Sequence, residues 1–103
     1  MEPHDFNSAQ ASLQLIDHID RCGGVYSDWY VGMTNDPERL LFDYHLVDKR
    51  DGQYFYCRMS TYHEARFMIE HLSTVYRVHV GPVYGGADAL YVYAFKMTTT
   101  TRE

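Results

Sequence analysis

From Ser8 onward, apolar positions recur at helical spacing. Leu15, Ile19 and Cys22 fall at i, i+4 and i+7, and Leu13 with Ile16 widens the stripe. Gly23-Gly24 then stops the helix, because glycine takes the left-handed cap conformation at little cost. Residues 25–34 are rich in β-branched and aromatic side chains. Trp29, Val31 and Met33 alternate there with Tyr30 and Gly32, which predicts a strand, and Ser27-Asp28 reads as the turn of a tight hairpin. Asp36-Pro37-Glu38 opens a second helix: the aspartate oxygen caps free N–H groups, proline fits the first turn and glutamate suits the positive end of the dipole. That helix carries Leu40, Leu41 and Tyr44 on one side and ends near residues 45–47.

A loop at 48–52 leads to a strand at 53–58. Thr61-x-x-Glu64 is a capping-box signature for a third helix, whose Ala65, Met68, Ile69 and Leu72 form a core face. Residues 75–80 alternate as a strand or as a loop along the sheet, and Gly81-Pro82 and Gly85-Gly86 read as breakers. Residues 90–97 form the closing strand, with Leu90, Val92 and Ala94 on one face and Tyr91, Tyr93 and Phe95 on the other. Apolar groups on both faces predict a central strand or an outer face that meets a partner. The order is α-β-β-α-β-α-(β)-β. It gives an α+β fold with a small, mainly antiparallel sheet of three to four strands flanked by helices. One domain spans 1–103, with loose ends at 1–7 and 98–103.

Charge changes the functional picture. Fourteen Asp and Glu against nine Lys and Arg leave a net charge of −5. A protein that holds nucleic acid by neutralising phosphates needs the opposite balance. The longest apolar run, Leu40-Leu41-Phe42, is far too short for a membrane span, and Met1-Glu-Pro-His-Asp carries acid where a secretory leader carries base. Two cysteines in a chain able to build its own core fit reduced thiols, so a cytoplasmic protein is expected.

The segments Gly24-Val-Tyr26, Tyr30-Val-Gly32 and Met33-Thr-Asn-Asp-Pro-Glu-Arg39, followed by His45, resemble the GIY-YIG endonuclease superfamily. The Glu64–Glu70 stretch, the glycine-rich 81–86 segment and Tyr91-Val-Tyr93 fit the same pattern. The resemblance implies a sheet flanked by helices that cuts DNA phosphodiesters. Two tyrosines would orient water, an arginine hold the phosphate, a histidine move a proton and a glutamate hold Mg²⁺ or Mn²⁺. Tyr26, Tyr30 and His45 match the tyrosines and the histidine. The arginine's place is taken by Leu40, with Arg39 beside it, and the glutamate's place by Ile69, with Glu70 one step on. Glu70 also lies four residues after Arg66, the spacing of an exposed ion pair. Only three residues separate the two tyrosine motifs, a shorter interval than the family shows.

The remaining chemistry is sparse. His63-Glu64 begins a zincin-like pair, but Phe67 stands where the second histidine belongs. Cys57 falls in a strand, where a buried hydrophobe is the simpler role. Among the ten tyrosines, Tyr54, Tyr56, Tyr84 and Tyr91 are candidates for an exposed surface, and tyrosine is enriched at protein interfaces. The sequence therefore favours a non-catalytic GIY-YIG-like domain without a cofactor. It would bind another protein, one with a basic nucleic-acid-binding surface, as an acidic inhibitor. The alternative is a divalent-metal DNA endonuclease using Tyr26, Tyr30, Arg39, His45 and Glu70.

Overall fold

Trp29–Thr34 (β1) is buried at every position, and the sheet is built outward from it. The computed structural model describes residues 6–103. Four strands lie in the order β2-β4-β1-β3, where β2 is Tyr54–Arg58, β3 is His79–Tyr84 and β4 is Tyr91–Lys96. β4 runs antiparallel to both β1 and β2, while β3 runs parallel to β1. The fold is thus α+β with a mixed, mainly antiparallel sheet. Among the described residues no helix is long and apolar enough to cross a membrane.

The hairpin at Ser27-Asp28 does not form. Residues Tyr26–Asp28 make a single 3₁₀ turn instead, and β1 begins only at Trp29. Two glycines with positive φ, Gly23 at 113° and Gly24 at 75°, turn the chain out of the preceding helix. β1 then enters the sheet centre with both edges already used, by β4 and β3. β3 runs straight through Gly81-Pro82, the pair read as a breaker. It is an edge strand, so the N–H that proline lacks is dispensable there, and the register slips by a residue opposite Val31–Met33. Gly81 has a packing reason too: the Tyr30 ring lies where a β-carbon would stand.

One face of the sheet is covered by Ser8–Arg21 (α1) and Tyr62–His71 (α2). Leu15 and Ile19 from α1 and Ala65, Met68 and Ile69 from α2 bury against Trp29, Val31, Met33, Val92 and Ala94. The stripe on α1 is narrower than its periodicity predicts, because Leu13 is 69% exposed and Ile16 only half-buried. Trp29 Nε1 is buried without a hydrogen-bond partner among the described residues, and the His18 and Trp29 rings meet in a T-shape with centroids 5.6 Å apart. Thr61 Oγ1 accepts from Glu64 N–H at 3.1 Å, which caps α2. The Glu64 carboxylate does not close the box. It accepts from Ser8 N–H at 2.6 Å and joins the two helix N-termini.

The other face is aromatic. Tyr30, Tyr93 and Phe95 are buried there under Leu40, Leu41 and Val47. Described residues of both terminal arms make contacts with the body of the fold. Phe6 pairs with the extension of β2 through Arg58 O and Ser60 N–H, and Asn7 caps α1 with Gln10 reciprocating. Residues 1–5 of that arm lie outside the described residues. At the other end, Thr98 and Thr101 close a turn that brings Arg102 back to His45.

Gly81→Ala should destabilise the fold by about 1–3 kcal/mol, the range for overfilling a packed site. Urea unfolding checks this, and adding Tyr30→Leu should recover part of the loss by emptying the overlapped space. A Gly81→Ala protein as stable as wild type would contradict this packing.

Candidate functional site

Among the described residues, His45 is a fully buried polar side chain engaged at both ring nitrogens. Asp36 starts its segment: the carboxylate accepts from Arg39 N–H at 3.3 Å, and the Asp36 N–H donates to Thr34 Oγ1 at 3.0 Å. Pro37 is buried in the first turn. The winding then widens to a π-helix over Arg39–Tyr44, and His45 N–H reaches back five residues to Leu40 O at 2.8 Å. In ordinary α winding, five residues would leave His45 about 140° from Leu40. The wider turn carries it back over the same side, into the core. Leu46 follows with φ at 61°, and Val47 N–H closes on Leu41 O at 2.9 Å.

The His45 ring has no solvent exposure. Nδ1 meets Arg102 O at 2.6 Å and Nε2 meets the Tyr93 hydroxyl at 2.9 Å. A carbonyl oxygen can only accept, so Nδ1 carries the proton and the Tyr93 O–H donates to Nε2. Arg102 N–H donates in return to His45 O at 2.7 Å. Phe95 at 4.7 Å and Tyr30 at 4.9 Å pack on the same ring. Burial lowers the pKa of His45 below its ordinary 6.5; the bond to Arg102 O and the Glu103 charge oppose that, and the Arg102 charge adds to it. The tyrosines are held neutral: burial pushes Tyr30 up to about 12 and raises Tyr93 further.

The five motif residues divide between the two sheet faces. Tyr30 and His45 are in contact on the aromatic face, where Arg39 is exposed at the rim. Tyr26 lies on the helix side, donating to Asp20 Oδ1 at 2.6 Å and packing on Tyr76 at 4.8 Å. The bond to Asp20 is the main cause that pushes Tyr26 up to about 12. Glu70 is also on the helix side, exposed on α2 and 3.7 Å from Arg66. It lines a groove with Ile69, Met33 and Val83, across the sheet from His45. A cation held by Glu70 would therefore not share a site with Tyr30 and His45. Among the described residues no three His, Cys, Asp or Glu side chains converge as a metal site.

The four surface tyrosines share the aromatic face, but only Tyr56 counts as exposed, at 37%. Its hydroxyl donates to Glu38 at 3.0 Å, and its ring lies 6.3 Å from Tyr91. Tyr54 is half-buried against Phe42 at 5.1 Å, and Tyr84 is half-buried 5.8 Å from Tyr44. Cys57 is buried and its thiol is pushed up to about 12 by desolvation, so it acts as a hydrophobe.

Tyr93, Tyr44 and Arg102 were not among the candidate site residues of the sequence, where Tyr93 and Tyr44 figure only as element residues. Tyr93 had a signal, since its place on a strand apolar on both faces marks burial. Arg102, in a short threonine-rich tail, had none. Chemically, the arrangement holds a neutral imidazole with both nitrogens engaged, beside a tyrosine surface edged by carboxylates. Compared with protein-family models, curated proteins and solved structures, the chain matches none.

Because the unfolded chain takes up the His45 proton first, it binds more protons than the folded chain just below pH 6.5. Stability should therefore fall on acidification from pH 6.5 until the lowered pKa of folded His45 is passed. Urea unfolding at pH 7.5, 6.5 and 5.5 should show this slope, flattened in His45→Gln. Equal slopes in the two proteins would contradict the assignment.

Proposed function

We propose that this chain is a non-catalytic domain of GIY-YIG-like fold, a protein-interaction module that acts as an acidic inhibitor of a nucleic-acid-handling machine. The burial of His45 carries the reading. A histidine that exchanges protons with a substrate needs a nitrogen within reach of it, and both nitrogens here are engaged inside the fold. Leu40 supports the same reading, being buried among Tyr30, Leu41 and Tyr93 where the resemblance calls for a phosphate-binding arginine. The separation of Glu70 from Tyr30 and His45 adds to it. The net charge of −5 opposes a polyanion and suits a basic protein surface.

The contacting surface in this reading is the aromatic face around Tyr56 and Tyr91, with Tyr44 and Tyr84 at its other end. Tyrosines offer large rigid area with a polar tip, at low conformational cost. The alternative, a divalent-metal DNA endonuclease, rests on the contact between Tyr30 and His45 at 4.9 Å.

Supercoiled DNA incubated with the protein and Mg²⁺ or Mn²⁺ separates the two. The interaction reading expects no nicking and no gel shift at 150 mM salt, a concentration at which binding rests on neutralised phosphates. Metal-dependent nicking that His45→Ala abolishes would sink it in favour of the nuclease.

A further inference from the structure

At the end of the aromatic face, between the π-wound segment and the C-terminal end of β3, lies a cavity of about 460 Å³. Leu40 lines it, with the Tyr44 and Tyr84 rings 5.8 Å apart and inclined at 56°. Asp36 and Asp43, both exposed, supply carboxylates, and Arg39 stands beside them. Two carboxylates against one guanidinium leave the lining net negative. The loop beside it is pinned: Asn35 donates to Asp88 at 3.2 Å, and Asp88 also accepts from Gly86 N–H at 3.0 Å. The cavity thus combines π faces, negative charge and an apolar residue, the combination that suits a planar cation on a long apolar stem.

The chain itself provides the second observation. Arg102 lays its guanidinium 4.6 Å from the centroid of Tyr44, so one ring of the pair already carries this chemistry within the chain. We propose that the Tyr44–Tyr84 cavity is an arginine-binding pocket that receives one guanidinium side chain from a basic protein partner. It rests on the interaction reading above and names the residue type recognised. Asp36 and Asp43 set the sign of the charge, the tyrosines favour a flat delocalised cation over an ammonium, and Arg39 competes for the same carboxylates.

The test uses the ¹⁵N-labelled full chain titrated with two capped peptides, acetyl-Ala-Arg-Ala-amide and its lysine counterpart, and with protamine, an arginine-rich polypeptide. The arginine peptide should shift amides of residues 43, 44 and 84 and bind at least about threefold more tightly than the lysine peptide. Tyr84→Ala and Asp43→Asn should each weaken it about threefold or more. Asp43 is exposed, so its variant keeps the fold if the tyrosine variant does not. Arg39→Ala should tighten binding of the arginine peptide, and a weakening there would overturn the pocket, because removing a like charge cannot loosen a cation held by Asp36 and Asp43. Protamine shifting only residues around Tyr56 and Tyr91 would also overturn the pocket while leaving the interaction reading intact. Protamine that shifts nothing would overturn both.

Discussion

A histidine buried without solvent contact must have both ring nitrogens satisfied, and that requirement organises the aromatic half of this protein. Nδ1 needs an acceptor and takes the carbonyl of Arg102; Nε2 needs a donor and takes the hydroxyl of Tyr93. An unpaired buried polar group costs about 1–3 kcal/mol, so each partner's position is constrained in turn. Tyr93 lies at the middle of β4, which fixes the ring against the sheet. Arg102 lies six residues beyond the end of that strand, so the tail must double back through the Thr98–Thr101 turn. The segment that carries His45 must wind wide to deliver it over Leu40.

The sheet therefore separates two unlike cores. Under α1 and α2 the packing is chiefly aliphatic and sulfur-bearing, with Trp29 fully buried within it. On the other side it is aromatic and polar: Tyr30, Tyr93 and Phe95 surround one imidazole, and the strand glycines let them fit. Gly32 leaves room for the Tyr93 ring and Gly81 for the Tyr30 ring, since a β-carbon at either position would overlap them. This division has a functional consequence. Residues that the motif places in one catalytic group are distributed over both faces. The exposed tyrosines among the described residues, Tyr44 and Tyr56, lie on a single face, beside the carboxylates of Glu38, Asp36 and Asp43. A surface of that kind carries π faces and negative charge side by side.

Much of the frame was legible in the sequence, wherever periodicity reflects burial on one side. The stripe of Ala65, Met68, Ile69 and Leu72 is buried, the alternation of Trp29, Val31 and Met33 marks one face of β1, and the two-sided apolar pattern of β4 marks a central strand. Local rules failed where tertiary placement overrides them. Gly81-Pro82 reads as a breaker, yet an edge strand with a slipped register accommodates it. Ser27-Asp28 reads as a turn, yet β1 finds its partners at β3 and β4, far along the chain. The π winding over Arg39–Tyr44 depends on where His45 must go, which no window of neighbours records. At the candidate site, Tyr26, Tyr30 and His45 were visible as a motif, whereas the partners of His45 were invisible because Arg102 lies 57 residues away.

In the proposed reading, His45 is a sealed structural side chain and not a proton-transfer group. Nitrogen-detected NMR of its imidazole across pH 5–8 tests this most directly. The account predicts a neutral ring with the proton held on Nδ1, slow hydrogen exchange and a titration midpoint below the ordinary 6.5. A ring that titrates at or above that value, with its proton on Nε2 or in rapid exchange with solvent, would contradict it.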